Sequence, residues 1–169
     1  GRARRRRRYT TAKFAERIEA VRRLMPDAFI GIDVIVGFPG ETEADFRTTY
    51  EFLERLAPAY LHIFPFSERS GTPAVDFPDK VQPSVATRRV EELEKLCRRL
   101  HGEFCARAEG TTDEVLFEST MRGGMMFGYT GNSRRVKVLY DRSRINTICR
   151  VRLGRMDDAN DLEGEIVDN

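Results

Sequence analysis

Residues 29–45, Phe-Ile-Gly-Ile-Asp-Val-Ile-Val-Gly-Phe-Pro-Gly-Glu-Thr-Glu-Ala-Asp, narrow the folds open to this chain more than any other stretch. Positions 29–36 carry one charge in eight residues. That is the pattern of a strand buried on both faces, as in a parallel sheet covered by helices. Gly37-Phe38-Pro39-Gly40 then turns the chain, and Thr42 with Asp45 three positions on forms a capping box that opens a helix. A strand, a tight turn and a helix start place backbone N–H groups at the carboxyl end of the strand, where ligands of α/β folds sit. The turn contains neither Gly-Lys-Ser/Thr nor Gly-x-Gly-x-x-Gly, which excludes the two common nucleotide loops. It reads either as a backbone-rich ligand edge or as a plain βα turn.

The flanking patterns extend this unit. Phe14, Ile18, Val21 and Met25 recur at helical spacing from Thr11 until Pro26 ends the run, while Arg4 to Arg8 before them reads as a flexible arm or a remnant of a longer protein. A helix over 43–56 presents Phe46, Tyr50 and Leu53 on one face, and residues 60–66, Tyr-Leu-His-Ile-Phe-Pro-Phe, read as a second strand. The order helix, strand, helix, strand predicts parallel pairing with right-handed crossovers. Two parallel strands do not make a stable covered sheet, so this part reads as the second half of a larger α/β barrel or open sheet. A loop over 67–81 leads to a long helix from Pro83 to about residue 108, with Val90, Leu93, Cys97, Leu100, Phe104 and Ala108 on its stripe and Gly110 as its stop.

Beyond Gly110 the period changes to two. Residues 114–118, 125–130, 136–140, 147–153 and 162–167 read as five short strands, with turns at Gly123-Gly124, Gly131-Asn132 and 157–161, the makings of a small OB-like barrel. The expected architecture is an α/β partial barrel over residues 1–109 followed by a small all-β barrel over 110–169.

Bulk properties remove several classes. No apolar run approaches the ~20 residues of a membrane span. The basic N-terminus lacks the apolar segment of a signal peptide. The chain begins with Gly1 rather than Met, which fits an excised piece. Cys97, Cys105 and Cys149 are an odd, widely spaced set that forms neither a disulfide framework nor a Cys-x-x-Cys metal site, and the reading is a reducing cytoplasm. The net charge of +2 conceals segregation. Residues 121–155 hold nine Lys/Arg against Asp141 alone, and residues 156–169 hold six Asp/Glu and no base. A polyanion partner for the basic stretch competes with a merely solvated basic face.

Among candidate site residues, Asp33 sits within an apolar strand and must be paired or face a polar cavity, so a site and a buried ion pair are both open. His62 points opposite to Leu61 and Ile63; a lone strand histidine is more often a core or rim residue than a base. Ser67, Arg69 and Thr72 lie in the loop past this strand's carboxyl end. His101 falls on the polar side of the long helix, and Cys97 and Cys105 read as packing residues. In the small barrel Arg122, Arg134, Arg135, Lys137, Arg142, Arg144, Arg150 and Arg152 interleave with Phe127, Tyr129 and Tyr140. Positive charge for phosphates and aromatic faces for bases suit single-stranded or looped RNA.

Three stretches resemble the radical S-adenosylmethionine methylthiotransferases that modify tRNA. They are Arg7-Arg8-Tyr9-Thr10; Asp33-Val-Ile-Val-Gly-Phe-Pro-Gly-Glu-Thr-Glu-Ala-Asp-Phe46; and residues 61–74, Leu-His-Ile-Phe-Pro-Phe-Ser-Glu-Arg-Ser-Gly-Thr-Pro-Ala. The region from Gly110, with Gly128-Tyr129-Thr130-Gly131-Asn132, resembles the family's C-terminal TRAM domain; Ser133 stands where members often carry an aromatic. His-Ile-Phe-Pro-Phe-Ser-Glu-Arg resembles the branch acting on N6-threonylcarbamoyladenosine at position 37 of tRNA. The branch that methylthiolates a ribosomal protein usually lacks the His.

The resemblance implies that the parent methylthiolates C2 of that adenosine in the anticodon loop, using S-adenosylmethionine and two 4Fe-4S clusters. The cluster cysteines, including a Cys-x3-Cys-x2-Cys motif, are not in this chain. They are expected in N-terminal domains of the same protein, and the chain alone is expected to be inactive. Asp33, Gly37, Phe38, Pro39, Gly40, Glu41, His62 and Phe64 would border S-adenosylmethionine. Arg7, Arg8, Tyr9, Ser67, Arg69, Thr72, Arg122, Tyr129, Asn132, Arg134, Arg135 and Lys137 would meet RNA. The rival reading is a stand-alone RNA-binding module without chemistry; a phosphate-binding barrel enzyme is weaker because no lysine follows the glycine turn.

Overall fold

A computed structural model describes residues 2–67 and 79–167, with side chains from Thr11 onward. It divides into two compact units, Gly1–Arg98 and Arg99–Asn169. The division falls inside a helix, α3 (Pro83–Ala106), whereas the sequence places a boundary after its last turn.

In the first unit α1 (Arg2–Leu24) takes in the arginine run expected to be an arm. Arginine is a good helix former, so the backbone of the run continues the helix that follows. Of the apolar positions read at helical spacing, Ile18 is buried, while Phe14, Val21 and Met25, the last just past the end of α1, are exposed. Two strands, β1 (Gly31–Val36) and β2 (Tyr60–Pro65), pair in parallel in the register Gly31↔Tyr60 to Val36↔Pro65.

β1 is not the strand buried on both faces that its composition predicts. Burial on β1 alternates, with Ile32, Val34 and Val36 inward and Gly31, Asp33 and Ile35 outward, and Ile35 is 59% exposed. Only one face of the pair is covered, because among the described residues no second layer lies on the other. On β2, Leu61 turns inward and Tyr60, His62 and Phe64 outward.

The helix between the strands, α2 (Glu43–Leu56), opens on the expected capping box. Asp45 N–H donates to Thr42 Oγ1 at 3.0 Å, and Thr42 N–H to Asp45 Oδ2 at 3.1 Å. Its apolar face buries Phe46, Leu53 and Leu56. Ala57, at φ 48°, ends it in the left-handed region. On α3, Leu93, Leu96 and Cys97 are buried, and the Cys97 Sγ accepts from the Leu61 N–H at 3.3 Å, tying the helix to β2. Burial raises the pKa of the Cys97 thiol, in keeping with a packing residue.

In the second unit five strands close a barrel: β3 (Thr112–Arg122), β4 (Met125–Thr130), β5 (Arg135–Leu139), β6 (Ile148–Met156) and β7 (Leu162–Ile166). Their order is β3-β4-β5-β7-β6, with β5–β7 parallel and the other pairs antiparallel. All five expected strands are present. β3 runs past its expected end, continuing beyond a register shift between Phe117 and Met121. The polar run Glu118-Ser119-Thr120 concealed that extension, since a bulge breaks the period-two pattern. Val115, Phe117, Met126, Val136, Val138, Val151, Leu153 and Leu162 fill the interior. Gly128 is required where β4 meets β3: a Cβ there would lie 2.5 Å from the Leu116 carbonyl oxygen.

Candidate functional site

The open face of the strand pair gathers the candidates of the first unit. Register places Asp33 beside His62 and Ile35 beside Phe64, all outward, with Phe64 51% exposed. The ring of Tyr60, which sequence reasoning passed over, meets His62 edge-on at 4.9 Å between centroids. Asp33 is therefore exposed and in no ion pair among the described residues. The result is a mixed surface: one carboxylate, one imidazole and flat apolar groups.

The turn at the carboxyl end of β1 is built differently from the expected N–H-rich edge. Gly37 and Gly40 take φ of +78° and +84°, open to glycine alone without strain. The Gly37 N–H donates to Glu41 Oε1 at 2.8 Å, Gly40 N–H to the Asp79 carbonyl at 2.8 Å, and Glu41 N–H to the Phe38 carbonyl at 3.1 Å. Thr42 N–H serves the helix cap. These donors are already committed within the chain, so an oxyanion finds few there. The carbonyls of Gly37, Pro39 and Gly40 have no partner among the described residues. Such an edge suits a ligand that brings N–H donors.

Glu41, expected to border the ligand, is instead 5% exposed. Its carboxylate holds the turn and meets Arg89 Nη1 at 2.9 Å. The same Arg89 atom donates to the Glu41 carbonyl at 3.0 Å, Nη2 reaches Glu43 at 3.2 Å, and the guanidinium lies over the Phe46 ring. Arg88 also pairs with Glu43, and the Arg88 guanidinium lowers the pKa of that carboxyl. Arg89 was missed by sequence reasoning. The available signal was its place four and seven residues before Leu93 and Leu96, a cation on the buried stripe of α3. Phe38 and Pro39 are half-buried and Ser67 is exposed. Arg69 and Thr72 lie outside the described residues, as do the side chains of Arg7, Arg8 and Tyr9, whose backbone is in α1.

On the barrel, the cations expected to meet RNA separate into two groups. Arg134 is 4% exposed; its Nε donates to the Phe104 carbonyl at 3.0 Å and its guanidinium stacks 4.2 Å over the Phe104 ring. Arg135 pairs with Asp161 at 3.0 Å and covers the Phe127 ring, and Lys137 pairs with Asp157 at 2.6 Å. These three hold the barrel together. Asn132 Oδ1 accepts from Thr130 Oγ1 at 2.6 Å within a turn where Ser133 has φ 66°. By contrast Arg122, Arg142, Arg150 and Arg152 are exposed and make no ion pair among the described residues. Tyr129 is outward and exposed, in a cross-strand row with Leu116 and Ile148.

The acidic loop 157–161 has a pH signature. Burial pushes Asp157 up, but Lys137 and the N–H groups of Asp161 and Ala159 outweigh that and hold it below 3.8. A carboxylate lowered in the folded state stabilises the fold above its unfolded pKa and loses that contribution as pH falls through the folded one. Asp161, raised mainly by burial, has the opposite sign and takes its proton at higher pH. The melting temperature followed by circular dichroism is therefore expected to drop below about pH 3.8, and to drop less in Asp157→Asn.

The donor sets bear differently on the expected cofactors. No group of three or more His, Cys, Asp or Glu among the described residues could hold a metal ion, and all three cysteines are buried, on α3 and β6. These residues do not fit an iron–sulfur cluster. The open face and the carbonyl edge do fit an organic ligand carrying an amine and a flat ring.

The first unit thus carries a one-sided parallel strand pair with an open face, and the second a small closed barrel whose exposed Arg122, Arg142, Arg150 and Arg152 make no ion pair among the described residues. The chain belongs to the radical S-adenosylmethionine methylthiotransferase family. It is 36% identical over 152 residues to threonylcarbamoyladenosine tRNA methylthiotransferase MtaB of Bacillus subtilis, covering 88% of this chain and 34% of that protein. It is 32% identical over 160 residues to tRNA-2-methylthio-N(6)-dimethylallyladenosine synthase of Aquifex aeolicus, covering 95% of this chain and 36% of that protein. A synthase of the same name from Wolbachia sp. subsp. Brugia malayi is 42% identical over 113 residues, covering 67% of this chain and 26% of that protein. The chain thus spans about a third of the length of the first two relatives. No protein-family model matches it.

Proposed function

We propose that this chain is the cofactor-bordering and RNA-binding part of a cytoplasmic enzyme that methylthiolates C2 of N6-threonylcarbamoyladenosine at position 37 of tRNA. The observation that carries this is the open strand face bearing Asp33, His62 and Phe64 beside a carbonyl-lined turn, in a chain 36% identical to MtaB. On this reading S-adenosylmethionine is held along residues 37–40 and the outward side chains of β1 and β2. The turn carbonyls would accept from its amino groups, Phe64 and Ile35 would supply apolar contact, and His62 and Asp33 would orient polar atoms. S-adenosylmethionine when bound supplies the radical chemistry. The iron–sulfur clusters would be held by a part of the parent outside this chain, and the barrel, read as a TRAM domain, would bind the anticodon arm.

The coding sequence on the N-terminal side tests the enzyme reading, since absence of a Cys-x3-Cys-x2-Cys motif there overturns it. The branch is tested with the parent protein, S-adenosylmethionine and a reductant. Transfer RNA carrying either N6-threonylcarbamoyladenosine or N6-dimethylallyladenosine is the substrate, and product nucleosides are read by mass spectrometry. A methylthio gain on the threonylcarbamoyl substrate is expected. A gain on the dimethylallyl substrate alone overturns the branch.

A further inference from the structure

The hairpin between β3 and β4 has Gly123 and Gly124 at φ 59° and 76°, both left-handed, so the strands turn back within two residues. Its tip lies against the segment that follows β5. Arg122 pairs with Met125, Met125 pairs with Leu139, and Tyr140 N–H donates to the Gly124 carbonyl at 2.9 Å. Asp141 N–H then meets Met126 Sδ at 3.3 Å, and a 3-10 turn follows at Arg142–Arg144. One end of the barrel thereby exposes three large apolar side chains from segments distant in sequence: Met121 at 58%, Leu139 at 77% and Tyr140 at 40%. Arg122 follows Met121 on β3, and Arg142 and Arg144 lie in the turn that follows Tyr140. Asp141, between Tyr140 and Arg142, is held by Ser143 through its N–H and hydroxyl and lies 3.7 Å from Arg144. Arg122 and Arg142 are left without an ion pair among the described residues.

We propose that this end of the barrel is the contact surface for an unpaired stretch of RNA, with Tyr140 stacking on a base and Arg122 and Arg142 meeting the neighbouring phosphates. The proposal rests on the reading that the barrel binds tRNA and names the surface that does so. The occupant follows from charge and shape. A flat aromatic beside unneutralised guanidinium groups takes a base and its phosphates. Five acids that would favour a basic protein partner, Asp157, Asp158, Asp161, Glu163 and Glu165, lie instead in residues 157–165. Arg135 and Lys137 are excluded from this role because Asp161 and Asp157 already hold them.

The test is fluorescence anisotropy of the 169-residue chain with a labelled anticodon stem–loop RNA and with a duplex RNA of equal length, over a salt series. The double variant R122Q/R142Q is expected to bind the stem–loop about tenfold more weakly, with a salt slope shallower by about 1.4, the share of two phosphate contacts. Tyr140→Ala is expected to lose on the order of tenfold on the stem–loop, little on the duplex, and to keep the salt slope. Tyr140→Phe restores binding, and melting curves establish that every variant is folded. Stem–loop binding by R122Q/R142Q and Tyr140→Ala equal to that of the unsubstituted chain overturns this proposal and leaves the tRNA-binding reading standing. Equal loss on stem–loop and duplex in Tyr140→Ala overturns stacking on an unpaired base. No RNA binding by the unsubstituted chain overturns the tRNA-binding reading and the proposal with it.

Discussion

Replacing Arg89 with alanine is expected to destabilise the Gly1–Arg98 unit by about 3–5 kcal/mol, the cost of leaving one member of a buried ion pair uncompensated. Side chains on both sides of that pair are almost wholly buried, at 5% exposure for Arg89 and 2% for Glu41. With Arg89 absent, the Glu41 carboxylate keeps only the Gly37 N–H, and the Glu41 carbonyl loses a charged donor. Chemical denaturation followed by circular dichroism measures the loss. Hydrogen exchange at the Gly37 and Gly40 amides localises it, since both bonds depend on the shape of the turn. The double variant E41Q/R89M separates charge from packing. Removing both charges together recovers much of the stability, because a neutral pair of similar volume needs no compensation. An Arg89→Ala chain as stable as the original would show that the turn stands without its ion pair.

Arg134→Ala is expected to cost about 3 kcal/mol in the barrel, because it removes a charged hydrogen bond and a desolvated cation–π interaction together. The Phe104 carbonyl is deprived of the Arg134 donor at 3.0 Å, and the Phe104 ring is deprived of the plane stacked 4.2 Å above it. Arg134→Lys recovers little, because an ammonium lacks the flat face that covers the ring. This destabilisation should appear in the melting temperature. The salt slope of RNA binding by the folded fraction should stay unchanged, whereas R122Q/R142Q should do the reverse. A shallower salt slope in Arg134→Ala with full stability would return that residue to the RNA surface.

Local patterns were legible wherever the physics is local. The capping box at Thr42 and Asp45 depends on residues three apart, and both of its hydrogen bonds are present. Parallel pairing of β1 with β2 follows from the intervening helix, and the barrel strands follow from the period change at Gly110. The one-sided burial of β1 could not be read. Ile35, on the open face, is as apolar as Val34 and Val36 on the covered one, so the composition of the strand does not reveal which neighbours it has.

Residue types and spacing by themselves determined the elements, their order, the tight turn at 37–40 and the segregation of positive charge into residues 121–155. Only the tertiary structure decided which charges are available. Arg134 and Arg122 are the same side chain in the same basic stretch, yet one is stacked on Phe104 and the other faces solvent. Glu41 likewise looked like part of a ligand edge until Arg89, forty-eight residues away, was found to claim it. The reason is that charge is a property of the residue. Its availability depends on long-range partners and desolvation, and those exist only once distant segments have been brought together.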